Sequence, residues 1–196
     1  IARSLSDSYR LIIPDQRNHG QSPHHPEHSY ESMSLDLHEL TEKLELDKFI
    51  LAGHSMGGKT AACFARSWPE KLAGLVIIDI TPFSADPGYD LRKSIHYRIL
   101  KRMKEADLSK YKSRDEAAEI FSDITGSERI INFLLKNIER KSRKEFEWKL
   151  NPGYLLDNIE NIYSGFEVPG TLPSETISGF PVFFLKRVLS AFRSHF

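Results

Sequence analysis

Apolar positions along the chain follow two patterns. Short unbroken runs mark strands that bury both faces, and stripes at every third or fourth position mark helices with one buried side. Ile1–Leu5 reads as the end of a helix. Tyr9–Pro14 (YRLIIP) is the first run and predicts a buried strand. Met33, Leu37, Leu40 and Leu44 form a helical stripe, with Ser29 placed to cap it. Phe49–Ala52 is the second run. An Ala-rich helical stretch from Met56 to Ser67 follows, and Pro69 helps to end it. Leu75–Ile78 is the third run. Beyond Pro82 the pattern is helical: Tyr89–Ala106, Asp115–Ile124, Glu128–Arg140 and Gly153–Tyr163 predict helices, with no strand among them. A short loop over 169–178 leads to Phe180–Leu185 (FPVFFL), a last buried strand.

Strands alternating with helices predict an α/β fold, a parallel sheet with helices on both faces. A helical insertion between two sheet strands predicts a lid over a site. We expect a single domain over residues 1–196, with its core in 1–81 and 166–196 and its lid in 82–165. A hydrophobic share of 40% beside 28% charged residues fits one ordinary globular core. Lys+Arg 27 balances Asp+Glu 27, so bulk charge gives no argument for a nucleic-acid partner or an anionic membrane. No apolar run reaches the length of a membrane span. One cysteine, Cys63, excludes an internal disulfide framework and reads as a small core residue. No cluster of metal-ligand type appears, so neither a metal nor a cofactor is expected.

In parallel sheets, chemistry gathers at the carboxyl ends of the strands. The second run ends in Gly53-His54-Ser55-Met56-Gly57-Gly58, which is G-x-S-x-G between a strand and a helix. That context is the one a nucleophile elbow requires. The turn forces Ser55 into a strained conformation. Side chains at Gly53 or Gly57 would meet neighbouring backbone, so both flanks must be small. The backbone N–H of Met56, at the helix start, would point where an oxyanion forms. Gly53–Thr60 also fits G-x-x-x-x-G-K-T, the phosphate-binding P-loop, with Lys59 and Thr60 in its closing positions. A solvated helix face is the plain alternative for Lys59. The third run ends at Asp79, 24 positions beyond Ser55.

Five stretches now coincide: DQRNHGQS after the first strand, GHSMGGKT at the elbow, LVIIDITP after it, and NFLLKNIER and FEWKLN in the lid. The set resembles the α/β-hydrolase superfamily, and within it the small acyl-esterase branch of YbfF-type esterases and mitochondrial abhydrolases. A P-loop would leave DQRNHGQS and the lid stretches unexplained. The resemblance implies a Ser-acid-His hydrolase of small-molecule acyl esters or thioesters, without cofactor, in mitochondria or cytoplasm. It implies Ser55 as nucleophile and Met56 N–H as oxyanion donor. The usual acid position follows the last strand, where Lys186–Ser190 offer no carboxylate. In the resembling branch the acid can follow the strand after the elbow, which assigns Asp79.

The resemblance also implies an early His-Gly loop and a late histidine base, and neither falls in this chain. The catalytic histidine is therefore expected to be absent, and the fragment inactive on its own. Of the histidines present, His54 flanks Ser55 and points away, and His19 is expected to bond within its loop. His96 reads as an exposed lid residue, and His195 follows the last strand too closely. Arg17 reads as an anchor of its loop. Ile80, Phe83, Trp148, Tyr154 and Leu155 are candidate acyl-pocket residues, each readable as plain core. In the superfamily's strand order another strand lies between those of Ile12 and Leu51, so a gap is expected there. The alternative functions are a non-catalytic interaction protein on the same fold, an acyltransferase or C–C-bond hydrolase using the same triad, and a P-loop nucleotide hydrolase.

Overall fold

A computed structural model of the protein describes residues 2–80, 88–142, 145–165 and 179–185. Thr81, Pro82, Phe83, the 169–178 loop, Lys186–Ser190 and His195 lie outside the described residues.

Helix α1 (Ala2–Leu5) is a single turn. Helix α2 (Tyr30–Lys43) starts at Ser29 as its sequence predicts. The Ser29 hydroxyl accepts from Ser32 N–H, and the Ser32 hydroxyl accepts from Ser29 N–H. This reciprocal cap satisfies two donors that a helix start leaves open. Strand β1 (Phe49–His54) runs into α3 (Met56–Ser67), and β2 (Leu72–Ile78) follows. A last strand, Val182–Leu185, pairs with β2 on its other side, and all three strands are parallel. Helix α3 packs on β1 and β2, and α2 packs on α3. Ala61 of α3 meets Leu75 and Ile77 of β2 in one apolar cluster, and Tyr30, Met33 and Cys63 form another between the two helices.

The region between β2 and the last strand has its own core, centred on Met103, Phe121, Ile138 and Leu155. It contains α4 (Ile95–Glu105) and α5 (Glu128–Leu135). It then forms a hairpin of β3 (Ile138–Arg140) and β4 (Phe146–Trp148), and ends in α6 (Pro152–Asp157) and α7 (Ile159–Tyr163). We number the last sheet strand β5.

Four expectations are corrected. The strand expected over 9–14 is extended chain without ladder partners, and Ile13 is 75% exposed. Apolar, β-branched residues favour an extended backbone, but a strand also needs a neighbour. Among the described residues nothing pairs with residues 11–13, and β1 is paired only with β2, with Ile50 57% exposed. No ladder joins 11–13 to 50–52, in keeping with the expected gap. Second, the region between β2 and β5 is not all helix. The helix expected over 128–140 stops at Leu135, and the hairpin β3–β4 follows, pairing Ile138 with Trp148 and Arg140 with Phe146. The pairing puts Ile138 wholly inside the lid core, with Trp148 packed against it. Third, the first lid helix starts only at Ile95. Ser94 is extended and its hydroxyl accepts from Tyr97 N–H, while 91–93 and 116–121 are 3-10 turns. Fourth, β5 is the edge of the described sheet, and Phe183, Phe184 and Leu185 are more than half exposed among the described residues.

Candidate active site

The elbow is built as its glycines require. Ser55 sits between β1 and α3 with φ 53° and ψ −124°, a left-handed conformation costly for a residue with a side chain. A methyl at Gly53 would fall 2.1 Å from the Gly57 carbonyl oxygen, so no side chain fits there. Gly57 differs from expectation: a methyl there meets only the Gln16 amide nitrogen, at 3.4 Å. The second crowded glycine is Gly58, 2.7 Å from Ile80 Cγ2. The helix therefore presses on the end of β2 one residue later than the motif suggests.

Ser55 N–H donates to the Ile78 carbonyl at 3.0 Å, and the Ser55 carbonyl accepts from Gly58 and Lys59 as the first helical turn closes. Met56 N–H opens α3, where a helix leaves donors free for an incoming negative charge. The Met56 side chain packs under the elbow against the Tyr30, Met33 and Cys63 cluster.

Asp79 follows β2 directly. Since His54 pairs with Ile78, Ser55 and Asp79 occupy equivalent places at the same rim of the sheet. Asp79 also has φ 53°, which the sequence did not reveal, and its N–H is held by the Leu185 carbonyl at 2.7 Å. Its side chain is exposed.

The DQRNHGQS loop lies beside the elbow and is tightly bonded. Gly20, at φ +56°, admits the Asp15 carboxylate, which accepts from Gln21 N–H at 3.0 Å. Arg17 is the expected anchor: its guanidinium donates twice to Asp36 at 2.6 Å and to the Glu27 and Ser32 carbonyls. Asn18 is fully buried; its amide exchanges hydrogen bonds with the backbone of His25. His19 bonds the Arg17 carbonyl through Nδ1, as expected, and burial lowers its pKa.

This loop and the start of α2 also hold the region between β2 and β5. Asn151 N–H donates to the Asn18 carbonyl, and His28 N–H donates to Asn158 Oδ1. Asn158 Nδ2 donates to the Pro26 carbonyl, and the Tyr30 hydroxyl to the Ile162 carbonyl at 2.6 Å. Sequence reasoning missed Asn158 and Tyr30, whose partners lie about 130 positions away; Asn151 was visible only as the end of FEWKLN.

Among the described residues no hydrogen bond joins a histidine to Ser55 or Asp79. His54 is exposed on β1, His38 stacks on Trp68 at 4.2 Å, and His96 bonds the Tyr163 hydroxyl at 2.6 Å. His96 is exposed, as expected, but its ring is held by that bond, and partial desolvation lowers its pKa. Lys59 and Thr60 are turned away from any phosphate. Lys59 is buried and donates to the Ser164 carbonyl, and the Thr60 hydroxyl donates back to the Met56 carbonyl. Of the candidate pocket residues, Ile80 packs on the elbow. Leu155 and Trp148 belong to the lid core, where Trp148 Nε1 donates to the Met103 carbonyl. Tyr154 is half-buried at the start of α6. Among the described residues no helix is long and apolar enough to cross a membrane.

A parallel sheet, a serine held at positive φ between strand and helix, and an aspartate on the next strand end define an α/β protein of the nucleophile-elbow class. The chain belongs to the alpha/beta hydrolase fold family, whose family model matches residues 1–129. It is 35% identical over 157 residues to the sn-1-specific diacylglycerol lipase ABHD11 of Mus musculus, covering 78% of this chain and 49% of that protein. It is 31% identical over 169 residues to esterase YbfF of Escherichia coli, covering 86% of this chain and 62% of that protein. A solved marine microorganism esterase superposes with a TM-score of 0.84 at 39% identity, over 94% of this chain and 69% of that one. The chain spans about half the length of the curated relatives it matches.

Proposed function

We propose that the protein carrying this chain is a serine hydrolase of small acyl esters or thioesters. Ser55 is the nucleophile, Met56 N–H one oxyanion donor and Asp79 the acid that orients a histidine base. The observation that carries this is the placement of the strained Ser55 beside Asp79 at one sheet rim, in a family whose similar members include esterases and lipases. The histidine takes the Ser55 proton as Oγ attacks the acyl carbonyl. The tetrahedral oxyanion is held at the start of α3, and the leaving alcohol or thiol departs with that proton. Water then attacks the acyl-enzyme, and the acid is released. Among the described residues no histidine bonds Ser55 or Asp79, and inactivity of this chain on its own is part of the same proposal. The region 88–165 serves as the lid and sets the acyl pocket.

Diacylglycerol, named for the mouse relative, is one ester to test first. Mitochondrial or cytoplasmic placement is part of the same proposal. Fluorophosphonate labelling of the full natural protein is the direct experiment. Labelling that disappears in Ser55→Ala supports the hydrolase. A folded, unlabelled protein would sink it and favour a binding role.

A further inference from the structure

Lys59 stands one turn into α3, four residues after Ser55, and is 5% exposed. Its ammonium donates to the Ser164 carbonyl at 2.6 Å and rests over the Tyr30 ring, 5.4 Å from the centroid. Among the described residues no carboxylate pairs with it. Burial draws its pKa below the ordinary lysine value. A buried ammonium without a counter-ion is costly, and an apolar side chain of similar length would fill the space more cheaply. What the ammonium adds is direction: a charge-assisted bond to one backbone carbonyl.

That carbonyl matters because of where it lies. Ser164 closes α7, and its neighbour Tyr163 bonds His96 of α4 through its hydroxyl and stacks on Tyr89. A pull on Ser164 therefore reaches α4 through a continuous line of contacts. The other bonds of the seam start from Asn18, Pro26, His28 and Tyr30, before β1. Lys59 instead joins the lid to the helix whose first turn follows Ser55 and begins with Met56.

We propose that Lys59 is a positioning residue. It fixes the closing turn of the lid against the nucleophile helix and so sets the acyl-side wall of the site. This role rests on the hydrolase reading above. It predicts a specific defect when the bond is lost: the nucleophile keeps its geometry, while the wall that holds a longer acyl chain loosens.

The test compares Lys59→Met and Lys59→Arg with the unaltered sequence in the full natural protein. Amide exchange over 159–165 should speed up about tenfold or more in Lys59→Met, the size expected for losing one charge-assisted bond, with β1 and β2 unchanged. For a hexanoyl ester, kcat/KM should fall about tenfold, mainly through KM, while an acetyl ester changes less than about twofold. Lys59→Arg, whose guanidinium can reach the same carbonyl, should recover most of both effects. Unchanged exchange would overturn the proposal. So would equal losses for both esters, or a loss in kcat alone, since those mark a merely structural residue. If Lys59→Met does not fold, Lys59→Gln carries the same measurements. If Ser55 fails to label in the unaltered protein, the hydrolase reading falls, and the exchange arm still tests the latch.

Discussion

Ser55 and Asp79 leave adjacent parallel strands at the same level, and both do so at φ 53°. The ladder fixes the level, because His54 opposes Ile78 and Ser55 N–H bonds the Ile78 carbonyl. The two positive φ values turn the chain sharply where each strand ends. Such strain is held only where the surroundings enforce it. At Ser55 the enforcement is the contact of Gly53 with the backbone of Gly57. At Asp79 it includes the bond to Leu185, so β5 helps to shape the site though it contributes no charged group to it.

If Asp79 orients the base, Asp79→Asn in the full natural protein should cost about 10³–10⁴ in kcat, with folding unchanged. Ser55→Ala should remove fluorophosphonate labelling altogether. A loss under about tenfold for Asp79→Asn would move the acid to another carboxylate. Steady-state ester hydrolysis, with melting temperature as the fold control, measures both.

The glycines of the elbow should separate cleanly. Gly57→Ala meets only a side-chain amide at 3.4 Å inside α3, so it should be neutral or stabilise by about 0.5–1 kcal/mol through helix propensity. Gly53→Ala and Gly58→Ala place a methyl 2.1 and 2.7 Å from their nearest atoms and should both destabilise. Gly53→Ala should be the worse, because its obstacle is backbone. Urea midpoints at constant m-value give the order. Equal effects at 53 and 57 would contradict the geometry.

Arg17 should not tolerate lysine. Its fork serves Asp36 twice and two carbonyls besides, a geometry that a single ammonium cannot copy. Asp36 is 42% exposed, so solvent screens part of the pair, and the expected cost of Arg17→Lys is about 1–2 kcal/mol. Chemical denaturation reads it, with Arg17→Met expected to be no better than equal.

The elbow was legible because G-x-S-x-G between an apolar run and an Ala-rich run has few physical solutions. The strand at Leu75–Ile78 and the cap at Ser29 were legible for similar local reasons. Tyr9–Pro14 was misread because an apolar run reports a preference for extension, while pairing depends on a neighbour that local sequence does not show. The β3–β4 hairpin was hidden inside a stretch of helix-compatible residues, and tertiary packing of Ile138 decides it. The seam residues escaped for the plainest reason. Asn158 and Tyr30 bond across about 130 positions, and Lys59 looked like a surface lysine because its partner, Ser164, lies 105 positions away.

His28 should make the fold sensitive to acid. It is fully buried, and Asn18 Nδ2 faces its Nδ1 at 3.4 Å. The Asn18 amide is oriented by its bonds to His25, so an N–H₂ points at Nδ1, which accepts. The ring is thus neutral with its proton on Nε2, which finds no partner among the described residues. Burial, with His19 and Arg17 nearby, pushes its pKa from 6.5 down to about 4, against a smaller opposing pull from Asp36. Between those values the unfolded chain binds the proton more readily, so stability falls as pH falls through that window. Above 6.5 this histidine costs nothing by that route, and below about 4 its loss is complete, about 3 kcal/mol. His19 and His96 are lowered too and add in the same sense. Denaturation at pH 7 and pH 4.5 should therefore show a larger drop for the unaltered protein than for His28→Gln, whatever the variant's stability at pH 7. Parallel drops would show that the ring is not held neutral by its surroundings.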